Sequence, residues 1–129
     1  MKTNKLKVQI NKPPKEVFDF VTNPVNTPKW IDFIDREETD EWPPKLGTIY
    51  KNQDRDGEWR ELEMTEFKQD KMFVMTNRAT GYQVRYSLTP IGSKSTELEY
   101  YEWQDGGKLD DPFTLEPLQQ LKLVLEKLE

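Results

Sequence analysis

Residues 10–34 read INKPPKEVFDFVTNPVNTPKWIDFI, and the spacing of their prolines sets the local structure. Pro13 and Pro14 suit the first turn of a helix, where a missing backbone N–H is tolerated. The helix that follows carries three apolar residues on one face, at the spacing i, i+3, i+4: Val17, Phe20 and Val21. The stretch therefore predicts a short amphipathic helix that begins at the two prolines.

The same stretch predicts that this helix ends early. Asn23 precedes Pro24, and the residue before a proline is pushed out of the α region. Asn23 and Thr27 can each cap a new turn whose first residue is Pro24 or Pro28. We therefore expect a kinked pair of short helical turns leading into the apolar run WIDFI, which either packs on the core as a loop or covers a pocket as a flap.

Strands are predicted on both sides of this region. Residues 5–10, KLKVQI, alternate apolar and polar positions, which is typical of a half-buried strand. Later segments are rich in aromatic and branched residues and are separated by short turns, so consecutive strands should pair antiparallel. These segments are 47–53, 58–67, 71–79, 82–89 and 95–103.

The C-terminal segment PFTLEPLQQLKLVLEKLE predicts a helix with Thr114 as its cap. Its apolar stripe would consist of Leu118, Leu121, Leu125 and Leu128, widened by Val124.

Composition excludes several classes of chemistry. The 129 residues include no Cys and no His, which removes thiolate nucleophiles, the usual general base and nearly all transition-metal sites. The net charge of −5, with no basic stripe, argues against a nucleic-acid partner. No apolar run approaches 18 residues, so we expect no membrane span and a cytoplasmic location. We also expect no cofactor.

Four stretches together resemble a known family: INKPPKEVFDFVTNPVNTPKWIDFI, LGTIYK, EMTEF and YSLTPIGSKSTELEY. They are similar to the START-like superfamily (SRPBCC, or birch-pollen-allergen-like), and most closely to its polyketide cyclase/dehydrase branch. The resemblance spans nearly the whole chain and implies a single domain over residues 1–129. It implies the α+β helix-grip fold, in which a strongly curved antiparallel sheet of about six or seven strands wraps on a C-terminal helix, with two short helices after the first strand. The C-terminal helix is short for the family.

The resemblance also implies a function. Helix-grip domains commonly leave a pocket between sheet and helix, so we expect a small hydrophobic or amphipathic ligand, lipid-like or polyketide-like, bound by a monomer or homodimer. One alternative is a cyclase or dehydratase that uses Tyr, Glu or Arg in that pocket, although no catalytic motif is visible. Another is a protein-interaction module with a filled core.

The candidate ligand-binding residues follow from apolar strand faces and from the implied pocket. They are Trp30, Phe33, Tyr50, Arg60, Met64, Tyr86, Tyr100, Glu102, Leu121 and Leu125. By alternation, Glu102 and Arg60 fall on apolar faces, where they would have to pair or bind a polar ligand group. The alternative, which we favour, is that a bulge or a frayed strand end turns one or both to water.

Two acidic segments are interpreted as surface features and not as metal sites. NQDRDGEWRELE (52–63) has the spacing of an EF-hand loop, but strand-like flanks and Asp56-Gly57 favour a hairpin tip. The cluster of Glu37, Glu38, Asp40 and Glu41 is predicted to be a solvated face. We therefore expect no metal site.

Overall fold

The computed structural model describes residues 3–106, 109 and 112–128. Its strands are β1 (Thr3–Ile10), β2 (Ile34–Thr39), β3 (Ile49–Asp54), β4 (Trp59–Lys68), β5 (Met72–Asn77), β6 (Tyr82–Ile91) and β7 (Ser95–Gln104). Its helices are α1 (Pro14–Thr22), α2 (Thr27–Trp30) and α3 (Leu115–Glu126), with a 3₁₀ turn at Pro24–Asn26.

All seven strands form one antiparallel sheet in the order β1-β7-β6-β5-β4-β3-β2. Only the pairing of β1 with β7 joins strands distant in sequence; it aligns Thr3 with Trp103 and Ile10 with Thr96. The sheet curves strongly into a half-barrel, and α3 packs against β1 and α2. The predicted helix-grip fold is confirmed.

The proline-rich region folds largely as predicted. Pro14 is the first residue of α1, and the helix buries the predicted face with Val17, Phe20 and Val21. Asn23 ends α1, and its side chain accepts a hydrogen bond from the Val25 N–H at 3.2 Å. Thr27 does not cap the next turn. It lies inside α2, and its hydroxyl donates to Glu37 Oε1 at 2.7 Å.

Strand β2 was not predicted from the sequence. Its six residues, IDREET, hold one apolar side chain and pair only with β3, so hydrophobic alternation gives no signal. A charged edge strand of this kind resists pairing with other chains. The register shifts between Ile34 and Arg36, so the inward positions of β2 are not two residues apart there.

The inner face of β6 and β7 carries three of the candidate residues, Tyr86, Tyr100 and Glu102. Tyr86 pairs with Tyr100, and Val84 pairs with Glu102; all four side chains are buried. In α3, Leu118, Leu121 and Leu125 are buried. The predicted stripe is wrong at Leu128, which lies beyond the helix end and is 49% exposed. Thr114 occupies the cap position, but its side chain makes no capping hydrogen bond.

Candidate functional site

Most of the predicted site residues lie together in the interior between the sheet and α3. The buried members are Trp30, Tyr50, Met64, Tyr86, Tyr100, Glu102, Leu121 and Leu125. They come from α2, α3 and four different strands, so only the curvature of the sheet brings them together.

Four aromatic rings at the centre of this interior form a closed circuit, which we call the aromatic cluster: Trp30, Tyr86, Tyr100 and Phe113. Tyr100 and Phe113 are stacked, with ring centroids 4.3 Å apart. The other contacts are edge-on, at 5.2 Å for Tyr86–Tyr100, 6.4 Å for Trp30–Tyr86 and 6.2 Å for Trp30–Phe113. Edge-to-face and offset contacts at these separations are the favourable geometries for aromatic pairs.

Phe113 was missed by the sequence analysis. It lies just before α3, outside any helix or strand, and is half-buried. Phe113 follows Pro112 in a segment without hydrophobic periodicity, so no sequence signal marks it as a neighbour of Tyr100.

Glu102 faces inward, as simple alternation along β7 indicated, and is 2% exposed. Its Oε2 accepts hydrogen bonds from Asn4 Nδ2 at 2.8 Å and from the Phe113 N–H at 2.6 Å. Its Oε1 accepts from the Tyr82 hydroxyl at 2.5 Å and, more weakly, from the Tyr100 hydroxyl at 3.4 Å. Neutral donors therefore surround this carboxylate, and none of the ion pairs among the described residues includes it.

Arg60 does not accompany Glu102. It lies at the start of β4, next to the hairpin tip, with its side chain 50% exposed. Its guanidinium binds Asp54 at 2.9 Å and Glu58 at 3.6 Å. The hypothesis of an inward Arg60–Glu102 pair is therefore wrong, and the alternative that one of the two turns to water is confirmed.

Phe33 lies at the rim of the interior. It is 50% exposed, and its ring edge contacts Phe113 at 6.0 Å between centroids.

A second carboxylate that turns inward is that of Glu37, which is half-buried, so its predicted place on a solvated face is wrong. The register shift in β2 turns its side chain toward α2 and β3, where Oε1 accepts from the Thr27 hydroxyl and Oε2 accepts from Asn52 Nδ2 at 3.4 Å. Burial raises the pKa of Glu37 to about 7, and those two hydrogen bonds offset only part of that effect. A group with this pKa exchanges its proton near neutral pH.

The interior tyrosines stay protonated. Burial is the main cause that raises the pKa of Tyr50, Tyr82, Tyr86 and Tyr100, and the nearby carboxylates raise them further. For Tyr86, burial is the largest cause, followed by Tyr82, Glu37 and Glu102, which all raise its pKa further. These hydroxyls can donate or accept hydrogen bonds, but they do not supply a base.

One interior donor has no partner. The indole Nε1 of Trp30 is buried and makes no hydrogen bond to any described residue. Since an unpaired buried N–H is costly, the aromatic cluster offers an unused donor as well as apolar surface.

The rings of the aromatic cluster lie between the sheet and α3, where the resemblance implied a ligand. Two surface grooves lie elsewhere. One, of about 450 Å³, is on the outer face of β2–β4, beside Lys51, Trp59 and Arg60. The other, of about 320 Å³, lies between α1 and the end of α3, beside Phe20 and Leu125. A ligand ring between Trp30 and Tyr100 therefore requires Phe113 to move, because Phe113 contacts both.

Residues 54–58 form a hairpin tip, as predicted. Asp54 Oδ1 accepts from the backbone N–H groups of Asp56 and Glu58 at 2.9 and 3.0 Å, and Gly57 has a φ of 87°. Across residues 3–106, 109 and 112–128, the structure brings together no group of three acidic, His or Cys side chains that could hold a metal ion.

Comparison with known proteins identifies the fold and the family. The model of the family described as polyketide cyclase / dehydrase and lipid transport matches residues 1–127. No curated protein matches the sequence. Within the described part of the chain, no helix has the length and apolar character needed to cross a membrane.

Solved structures share the fold at low sequence identity. A Mesorhizobium loti protein is 16% identical with a TM-score of 0.76, and the match covers 99% of both chains. XoxI from Bacillus cereus is 12% identical with a TM-score of 0.78, covering 98% of this chain and 97% of that one. A subunit of the Aha1 dimer from Colwellia psychrerythraea is 14% identical with a TM-score of 0.72, covering 98% of each. With the fold, the interior and the family match in agreement, the chain belongs to the polyketide cyclase / dehydrase and lipid transport family.

Proposed function

We propose that the chain is a cytoplasmic domain that binds a small hydrophobic or amphipathic molecule between the sheet and α3. The family description and the helix-grip fold support a ligand-binding role. The proposed contact residues are Phe113 and all of the candidates from the sequence except Arg60. Those candidates are Trp30, Phe33, Tyr50, Met64, Tyr86, Tyr100, Glu102, Leu121 and Leu125.

The observation that carries the proposal is the position of Phe113 in the aromatic cluster. Trp30, Tyr86 and Tyr100 belong to a helix and to central strands, which fixes them. Phe113 belongs to neither and is only half-buried. It is therefore the ring that can leave at the lowest cost, and its departure opens a space lined by aromatic faces, as in most small-molecule sites.

Fluorescence titration with N-phenyl-1-naphthylamine, a neutral apolar dye, tests the proposal. We expect saturable binding to the wild type and tighter binding to Phe113→Ala, because removal of the ring vacates the space. Leu121→Trp should weaken binding by filling the same space, whereas Leu123→Trp, at a position 54% exposed on the same helix, should not. Absence of saturable binding to both the wild type and Phe113→Ala would refute the proposal and favour a core that is simply packed.

A further inference from the structure

Phe113 itself shows what the interior recognises. Its ring stacks on Tyr100 at 4.3 Å with 19° between the planes, and its edge contacts involve Trp30 and Phe33. Its backbone N–H donates to Glu102 Oε2 at 2.6 Å. The atoms that join these two contacts, N, Cα, Cβ and the phenyl ring, are the skeleton of 2-phenylethylamine.

The charge of the site favours an amine over other head groups. Glu102 is 2% exposed, and its described donors are an amide, two phenols and a peptide N–H, all neutral. An ammonium in place of the Phe113 N–H would form a charge-assisted hydrogen bond, which is roughly twice as strong as a neutral one. Tyrosine rings beside it also attract a cation. A carboxylate ligand would instead meet Glu102 as a like charge.

We propose that the ligand is an arylalkylamine, whose ring takes the place of the Phe113 ring between Trp30 and Tyr100 and whose ammonium binds Glu102. This inference rests on the proposed function, since it requires the aromatic cluster to open. It adds the chemical class of the ligand: one aromatic ring and a primary amine two carbons away.

Three probes that share a phenyl ring and differ in charge test the inference. Calorimetric titrations at pH 7 would compare 2-phenylethylamine, 2-phenylethanol and 3-phenylpropanoate on the full-length wild type and on Phe113→Ala. Phe113→Ala vacates the ring position only, and the backbone N–H of residue 113 still competes with the ammonium for Glu102 Oε2. In this variant we expect the amine to bind about tenfold more tightly than the alcohol, from one hydrogen bond to a charged group, and the carboxylate to bind most weakly. The wild type should show the same order with lower affinities, because Phe113 competes.

A matched pair of second substitutions in Phe113→Ala assigns the preference to Glu102. Adding Glu102→Gln keeps the shape and removes the charge, so the amine should lose its advantage over the alcohol. Adding Glu97→Gln, on the same strand with a side chain 42% exposed, should leave the preference intact. Nuclear Overhauser effects in Phe113→Ala supply a second measurement, which does not depend on the folding of a Glu102 variant. They should connect the methylene next to the ammonium with the rings of Tyr82 and Tyr100.

The outcomes separate this inference from the proposed function. Equal affinities for the three probes, or no binding of any of them while the naphthylamine dye still binds, would overturn the amine assignment and leave a general apolar site. An amine preference that persists in Glu102→Gln, or Overhauser effects that place the ammonium away from Tyr82 and Tyr100, would also overturn it. Loss of dye binding as well would overturn both proposals.

Discussion

The two interior carboxylates have the same chemistry but contrasting surroundings. Glu102 lies on β7 between β1 and β6, where four donors from three strands and the segment before α3 converge on it. Glu37 lies on the edge strand β2 and has two donors, one of them at 3.4 Å. Burial raises the pKa of Glu37 to about 7 because these donors replace too little of the lost water. The two residues therefore differ in the number of donors that meet the carboxylate, four at Glu102 and two at Glu37.

The largest effect is expected at the better-satisfied carboxylate. Glu102→Ala should lower the free energy of unfolding by about 3 kcal/mol, because it takes the acceptor away from the half-buried Phe113 N–H and removes one of two partners from Asn4 and from the Tyr82 hydroxyl. Urea unfolding at pH 7 measures this. The control is Glu97→Ala, on the same strand and facing Lys7 at 3.8 Å, which should cost less than about 1 kcal/mol. Equal losses in the two variants would show that the donors converging on Glu102 add no stability beyond that of a surface carboxylate.

Glu37 should make stability depend on pH in the direction opposite to that of an ion-paired acid. Its pKa is about 7 when folded, against an ordinary value of 4.5, so the folded state holds the proton more tightly. The stabilisation that the bound proton provides is complete below the unfolded pKa of 4.5 and is lost as the pH rises through the folded pKa of about 7. Relative to Glu37→Gln, the free energy of unfolding of the wild type should fall by on the order of 2–3 kcal/mol as the pH rises from 4.5 to about 7.

Urea unfolding at several pH values from about 4 to 8 checks this dependence. Glu38→Gln, at the exposed neighbouring position, provides the control and should follow the wild type. If the curves of wild type and Glu37→Gln stay parallel throughout, Glu37 is not the titrating group.

The smallest effect is expected at the surface residue once considered a partner of Glu102. Arg60→Met should leave Tm within about 2 °C, because exposed ion pairs such as Arg60–Asp54 contribute little. Dye binding should also be unchanged, since Arg60 lies at the hairpin tip and not in the interior. A marked loss of binding would show that the β3–β4 hairpin takes part in recognition.

Much of the fold could be predicted from periodicity and prolines. Helix α1, the inner face of β6 and β7, and the buried residues of α3 follow from local spacing. Strand β2 could not be predicted, because an edge strand with one apolar residue has no hydrophobic alternation. The candidate site was predicted only in part, since Phe113 and Glu37 lie in segments where periodicity is absent or shifted.

The sequence by itself determined which elements form and which chemistry is absent, because helical and strand periods are local properties and the lack of His and Cys is a matter of composition. The tertiary structure alone decided which polar groups meet. Asn4, Glu102 and Phe113 converge only because β1 pairs with β7 across the length of the chain, and Arg60 points to water only because β4 extends past the core at the hairpin tip. Contacts of this range depend on sheet order and register, which local patterns of residues do not encode.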